Sequence, residues 1–377
     1  MKIIITGGGT GGHIIPALAI LDIIKDNYKN VSIVYVGSKN SLEEELAVKE
    51  GYTFKDIKTG YIDRKILSIY NIKSIFKNIL GIIQSLNIIR KFSPDLIIGT
   101  GGYVSGPVVF AGKILKKKII IHEQNAYPGI TNKITGRFAD KIMISFNEAT
   151  KYFKDKSKIV FTGNPIRKEI INVDYDESRN YFNLKKDDFF VYSFGGSGGQ
   201  RTINEAIMKS LEILKNKKNI RWLHVTGKNH YKDFMKKIEE KNIIIPQNVE
   251  IVEYMYEAPK ALKASDLVVG SAGAISIAEI IYLGKPSILI PKKYTAENHQ
   301  FYNAKEIEDK GAGKVILEDE LNSKSLLDNV FNIKDNEKRK LKMSENSIKL
   351  FNYDFKHNII SVLEDSLRSG NNDWKKN

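Results

Sequence analysis

A histidine that closes a run of glycines is placed to do chemistry beside an anion. His13 ends the stretch Gly7-Gly8-Gly9-Thr10-Gly11-Gly12, which directly follows a short strand-like run, residues 2–6, with the apolar core Ile3-Ile4-Ile5. Glycines at the end of a parallel strand let the backbone approach a phosphate closely, and the helix that follows offers free N–H groups and about half a positive charge. A neutral imidazole there can take a proton from a hydroxyl near pH 7, or can simply hydrogen-bond the phosphate. Glu123, beside Asn125 after another apolar run, is a second candidate base.

The glycine pattern recurs. Gly99-Thr100-Gly101-Gly102-Tyr103-Val104-Ser105-Gly106, Gly195-Gly196-Ser197-Gly198-Gly199 and Gly270-Ser271-Ala272-Gly273-Ala274 each follow a strand-like run and precede a helical one. A single loop of this kind can be an ordinary tight turn. Four of them, two in each half of the chain, point to phosphate on both walls of a cleft. Gly7, Gly9 and Gly12 also fit the dinucleotide fingerprint, which requires an acid at the end of the second strand to hold a ribose. That strand ends Val36-Gly37-Ser38-Lys39-Asn40, so a nicotinamide or flavin oxidoreductase is disfavoured. Asp174-Tyr175-Asp176 is formally a carboxylate pair for a divalent cation, but it falls in a polar stretch away from any strand end. The six histidines show no paired ligand spacing, and a P-loop and a nucleophile elbow are both missing, so no metal and no cofactor are expected. With no cysteine, disulfides, thiolate metal sites and a cysteine nucleophile are excluded.

The elements that must carry these loops alternate. Strands are expected at 2–6, 32–36, 95–98, 118–122 and 141–145, then at 189–194, 222–225, 249–252, 266–269 and 287–290, with amphipathic helices such as 205–214 and 231–241 among them. Strand–helix alternation implies parallel sheets covered on both faces. The expected fold is therefore α/β, two Rossmann-like doubly wound domains facing a cleft. The expected domains are 1–163 for acceptor and membrane docking, 164–350 for the donor, and a helix within 351–377 strapped back onto the first. Residues 172–188 read as a polar linker.

Charge narrows the partner. The 377 residues carry a net +15, which suits nucleic acid, a membrane surface or a phosphorylated substrate. Residues 62–118 alone hold ten basic side chains against Asp63 and Asp95. Within them Ile72, Ile75, Phe76, Ile79, Leu80, Ile83 and Leu86 recur at helical spacing, interleaved with Lys73 and Lys77. This reads either as a helix lying on an anionic leaflet or as a core helix with a basic edge. No aromatic-basic recognition motif supports nucleic acid. The N-terminus is too short in apolar residues for a signal peptide, and the longest uncharged apolar run, 78–89, is too short to span a bilayer.

Together, Gly8-Gly9-Thr10-Gly11-Gly12-His13, Gly101-Gly102-Tyr103-Val104-Ser105-Gly106-Pro107, His122-Glu123-Gln124-Asn125, Gly163-Asn164-Pro165 and 271–279 closely resemble the lipid-linked murein-precursor N-acetylglucosaminyltransferases of glycosyltransferase family 28. The resemblance implies the GT-B fold and work at the cytoplasmic membrane face as a peripheral enzyme. It also implies inverting, metal-independent transfer of N-acetylglucosamine from UDP to the C4 hydroxyl of undecaprenyl-diphospho-muramoyl-pentapeptide. By the same resemblance, Thr10, Gly11, Gly12, Asn125, Arg167, Ser197, Met255, Ala274, Ile275, Ser276, Ile277, Ala278, Glu279 and Gln300 are donor contacts, with Glu279 on the ribose and Ser197 at the UDP phosphates. Gly9, Gly102, Tyr103 and Ser105 fall at the acceptor diphosphate. Ile72, Ile75, Phe76, Ile79, Lys73 and Lys77 become the membrane-docking face. The alternative acceptor is diacylglycerol, used by related glycolipid glycosyltransferases; the Tyr103 loop and the His122–Asn125 motif argue against it.

Overall fold

The computed structural model describes residues 1–61, 69–196 and 198–367. Two compact units emerge, one of residues 1–165 joined by 352–367, the other Ile166–Phe351.

Unit 1 opens with β1 (Lys2–Thr6), whose Ile3, Ile4 and Ile5 are fully buried, as a strand covered on both faces requires. It continues through α1 (Gly11–Asn27), β2 (Ser32–Gly37), α2 (Leu42–Lys49), β3 (Thr53–Asp56), α3 (Ile69–Phe92), β4 (Leu96–Gly99), α4 (Gly102–Ile114), β5 (Lys118–Glu123), α5 (Ile130–Thr135), β6 (Lys141–Ile144) and β7 (Ile159–Phe161). The strands form one parallel sheet in the order β3-β2-β1-β4-β5-β6-β7. The order reverses between β1 and β4, and both of those strands run into glycine loops.

Unit 2 repeats the plan. After α6 (Lys168–Ile171) and α7 (Tyr175–Tyr181) come β8 (Phe189–Phe194), α8 (Arg201–Leu214), β9 (Ile220–Val225), α9 (Tyr231–Glu240), β10 (Val249–Val252), α10 (Ala258–Ala264), β11 (Leu267–Gly270), α11 (Ala274–Tyr282), β12 (Ser287–Leu289), α12 (His299–Asp309), β13 (Gly313–Val315), α13 (Ser323–Lys334) and α14 (Glu337–Leu350). Its sheet runs β10-β9-β8-β11-β12-β13, so β8 and β11, the other two strands with glycine loops, again flank the reversal. Ligands of open parallel sheets bind at this point, because the helices on either side depart to opposite faces and leave the strand ends uncovered. Finally α15 (Phe355–Leu367) packs on α1, β6 and β7 of unit 1. Its approach is tied by Asn352 Nδ2, which donates to Thr162 O at 3.2 Å.

The segment expected to be a polar linker is partly helical and belongs to unit 2. Asp174 caps α7 by accepting from Glu177 N at 2.8 Å, and Arg179 donates to the carbonyls of Lys185 and Asp188 and reaches Asp266. Asp174 of the formal carboxylate pair thus has a local structural use. Three short strands lie outside the sequence expectation: β3, β7 and β13. All are sheet edges with half-exposed residues; β3 and β13 carry no apolar run, and in β7 the run is only the three residues Ile159-Val160-Phe161.

The helix α3 departs more instructively. It is 24 residues long, and Asn71–Phe92 is apolar and long enough by composition to cross a membrane, unlike the twelve-residue run counted in the sequence. Its inner face is small and polar toward the N-terminus. Asn71 and Ser74 are buried, Asn78 donates to Gly60 O and accepts from Gly60 N, and Gly81 lies against Lys58 O. Ile72 (69% exposed), Ile75, Phe76 (62%), Ile79 and Ile83 face outward. The amphipathicity is inverted over this half. Only toward the C-terminus does α3 turn apolar residues inward, with Ile89 fully buried and Ile82, Leu86 and Phe92 packed on the core.

Candidate functional site

In unit 1 the two glycine loops touch. Gly8 N donates to Gly101 O at 3.4 Å, and a Cβ on Gly102 would stand 2.0 Å from Gly8 O. Gly101 and Gly102 have φ of 103° and 76°, which side chains with a Cβ rarely adopt, so glycine is required here on two counts. Above this junction the ring of Tyr103 covers Gly9 and meets Tyr61 edge-on. Ser105 is buried and donates to Gly102 O within its own helix. Gly11, Gly12 and His13 form the first turn of α1 behind Thr10, with N–H groups at the sheet's open end.

His13 is half-buried at this turn. Its Nδ1 lies 3.0 Å from Thr100 O, at the end of β4, and 3.1 Å from Gln124 Oε1, just after β5. Because β1, β4 and β5 are neighbours in the sheet, groups far apart in the chain meet across three strand ends. Burial pulls the imidazole below its ordinary 6.5, with Gln124 and Thr100 opposing. It is therefore neutral near pH 7.

Glu123 ends β5 fully buried. Its Oε1 accepts from Asn125 N at 2.9 Å and Asn125 Nδ2 at 3.0 Å, while Oε2 accepts from Asn132 Nδ2 at 2.8 Å and Gly129 N at 3.2 Å. Burial pushes its carboxyl above the usual carboxylate range, and these four donors work against that rise. The carboxylate thus shapes the loop that presents Asn125.

An acid missed in the sequence also stands here. Glu43, buried in the first turn of α2, accepts from Ser38 N at 3.2 Å and Gly9 N at 3.4 Å. Val36-Gly37-Ser38-Lys39-Asn40 at the end of β2 carries no acid, and no pattern marks one a helical turn later. Glu43 clamps the first glycine loop to the end of β2.

In unit 2 the loops after β8 and β11 also adjoin, since a Cβ on Gly196 would lie 3.2 Å from Ser271 Oγ. Ser197 lies outside the described residues. Glu279, on the buried side of α11, takes two bonds from Arg167 on its Oε1, from Nε at 2.7 Å and from a terminal guanidinium nitrogen at 2.7 Å. Ala274, Ile275, Ile277 and Ala278 are buried along the same helix, and Ser276 is half-buried. Gln300, in the first turn of α12, accepts from Lys292 N at 3.0 Å, and Lys292 Nζ donates to Gly199 O at 2.9 Å. Asn303, not singled out by the sequence, is fully buried and donates to Ala272 O. Met255 follows β10 in a loop. Each unit thus brings most of its expected residues to its own uncovered strand ends.

Known proteins align with this arrangement. Residues 3–144 match the glycosyltransferase family 28 N-terminal domain, and residues 190–359 match the glycosyltransferase family 28 C-terminal domain. A UDP-N-acetylglucosamine–N-acetylmuramyl-(pentapeptide) pyrophosphoryl-undecaprenol N-acetylglucosamine transferase of Clostridioides difficile is 46% identical over 88% of this chain and 81% of its own. One of the same description from a Thermoanaerobacter species is 41% identical over 97% and 99%. Among solved structures, MurG of Acinetobacter baumannii superposes with a TM-score of 0.75 at 20% identity, covering 97% of this chain and 99% of that one. A UDP-GlcNAc 2-epimerase of Neisseria meningitidis bound to UDP-GlcNAc gives 0.69 at 13% identity over 97% and 100%. At such identities these two report the fold alone.

Proposed function

The chain belongs to glycosyltransferase family 28, and from that premise we propose that it moves N-acetylglucosamine from UDP to the C4 hydroxyl of the lipid-linked N-acetylmuramyl-pentapeptide. The observation that carries this reading is the pairing of glycine loops at the strand-order reversal of each unit, β1 with β4 and β8 with β11. Each pair offers close backbone and helix N-termini of the kind that suits a diphosphate, which supports the reading. Unit 2 takes the donor: the loops hold the UDP phosphates with Ser197, and Glu279, oriented by Arg167, accepts from the ribose hydroxyls. By the family motif, Gln300 and Asn125 are assigned to the sugar and the main chain at Met255 to the uracil, and Ala274 to Ala278 give close approach along α11. Unit 1 takes the acceptor diphosphate at Gly9, Gly102, Tyr103 and Ser105.

In the transfer, His13 Nε2 removes the proton of the acceptor hydroxyl. The oxygen attacks the anomeric carbon from the face opposite UDP, a C–O bond forms, and the bond to the β-phosphate breaks with its electron pair leaving on UDP. Configuration inverts. The departing charge is met by helix N-termini and by Lys292 beside Gly199, and we assign no metal to the step. His13 is preferred to Glu123 as base because both Glu123 oxygens are already taken by donors of its own loop.

The enzyme works at a membrane, and we place it peripherally on the anionic cytoplasmic leaflet. The support is the outward stripe of α3, Ile72, Ile75, Phe76, Ile79 and Ile83, with Lys73 and Lys77 exposed beside it. Burying each such side chain is worth about 1.5–3 kcal/mol, and each nearby cation adds about 1 kcal/mol. Arg64 and Lys65 of the same basic cluster lie outside the described residues.

The deciding assay is turnover of labelled UDP-N-acetylglucosamine with a short-chain muramyl-pentapeptide lipid diphosphate. Disaccharide product is expected, and product formed only with diacylglycerol would refute the assignment.

A further inference from the structure

We propose that Gln124 is a positioning residue, holding His13 in the tautomer that carries its proton on Nδ1 and leaves Nε2 as the basic nitrogen. The inference rests on the reading of His13 as the base and adds what orients it.

The orientation of the Gln124 amide is forced by its surroundings. One end lies 2.9 Å from Thr100 O and 2.9 Å from His122 O. Main-chain carbonyls only accept, so this end must be the NH₂ group; the flipped amide would press Oε1 against both oxygens. Oε1 therefore faces His13 Nδ1 at 3.1 Å, and Thr100 O stands 3.0 Å from the same nitrogen. Two acceptors converge on Nδ1, which must be N–H. A neutral imidazole has one N–H, so the lone pair is on Nε2.

A second ring holds the amide in turn. His122 Nδ1 lies 3.0 Å from Gln124 Nε2, whose two hydrogens are shared among this nitrogen, Thr100 O and His122 O; facing a donor, Nδ1 carries no proton, so the proton is on Nε2. Nε2 is indeed 3.2 Å from Gly163 O, which can only accept. The hydrogen bonds run one way across the ends of neighbouring strands, His13 to Gln124, Gln124 to His122, His122 to Gly163. Protonating His122 would set an N–H against the amide NH₂ and reverse that order. Complete burial opposes this by pushing His122 down to about 4. Among the described residues, the nearby carboxylates bond elsewhere, Glu43 to Gly9 N and Ser38 N and Glu123 to donors of its own loop, and the Tyr103 ring lies over Gly9.

The test uses the full chain with ¹⁵N-labelled histidine, His13 being assigned by its loss in His13→Ala. Long-range ¹H–¹⁵N spectra at pH 7.5 should show His13 protonated on Nδ1 and bare on Nε2; the opposite tautomer would overturn the inference without any substitution at Gln124. In Gln124→Met, close in size but unable to accept strongly or donate, Nδ1 keeps Thr100 O alone, and a fraction of the Nε2-protonated tautomer should become detectable. The value of kcat should fall about tenfold, with KM for UDP-N-acetylglucosamine within about twofold. The acid limb of the pH profile should move down, because the contact that raises the His13 value is gone. A variant with tautomer, kcat and acid limb all unchanged would overturn the positioning role while His13→Ala stayed inactive. Normal turnover in His13→Ala would instead sink the reading of His13 as the base, a separate outcome.

Discussion

At the scale of single residues, His13 separates what a motif tells from what a site requires. The glycine run predicted a histidine beside an anion, and the structure puts its Nδ1 on Thr100 O and Gln124. His13→Ala should lower kcat by about 10²–10⁴-fold with the fold intact, as expected for loss of a general base; near-normal turnover would end that role. Since burial holds the imidazole below 6.5, the neutral base persists under that pH in the wild type. The acid limb of kcat/KM should therefore have its midpoint below 6.5, and a midpoint above 7 would contradict the burial argument. Gln124 stood in plain view between Glu123 and Asn125, yet its part depends on a ring 111 positions away. Glu43 and Asn303 gave no signal, because a buried side chain bonded to a main-chain group has no characteristic spacing.

At the scale of elements, α3 shows why periodicity alone left two readings open. Apolar residues at helical spacing fit a buried face and an exposed one equally, since the pattern fixes the face and not what covers it. Here the inward half-face is Asn71, Ser74, Asn78 and Gly81, and the stripe at Ile72, Phe76 and Ile79 is exposed. Phe76→Asp with Ile79→Asp should reduce co-sedimentation with anionic phospholipid vesicles at least tenfold, while the melting temperature stays within a few degrees. Unchanged binding would mean that this stripe meets something other than the leaflet. The strands were legible where they lie at the centre of a sheet, as Ile3–Ile4–Ile5 does. At the edges β10 was legible but β3, β7 and β13 were not, as at Thr53–Asp56, which is half in water and carries a polar pattern.

At the scale of the whole molecule, each unit buries a neutral histidine, and their acid response should be visible in its stability. His224 bonds Ser193 Oγ through Nδ1 and Asn204 Oδ1 through Nε2, Trp222 donates to the same Ser193 Oγ, and burial pushes the histidine down to about 3. His122 in unit 1 is pushed to about 4. The folded values lie below the unfolded 6.5, so the unfolded chain binds protons first as pH falls. Stability is then complete above 6.5 and declines from 6.5 toward 4 and 3, at up to about 1.4 kcal/mol per pH unit for each group. The urea midpoint followed by tryptophan emission should drop over that range, and less steeply in His224→Gln. A flat profile in the wild type would contradict the buried neutral state.

The sequence by itself determined the strand–helix alternation, the four glycine loops and the family, because each is written in short-range periodicity or in residues at fixed spacing. Only the tertiary structure decided that the loops pair at the two reversals of strand order. It alone joined His13 to Gln124 and Arg167 to Glu279 across more than a hundred residues, and left the apolar side of α3 uncovered. The reason is physical. Local patterns set the faces and ends of elements, whereas the neighbours of a strand end follow from the order in which the sheet is assembled, which no local window contains.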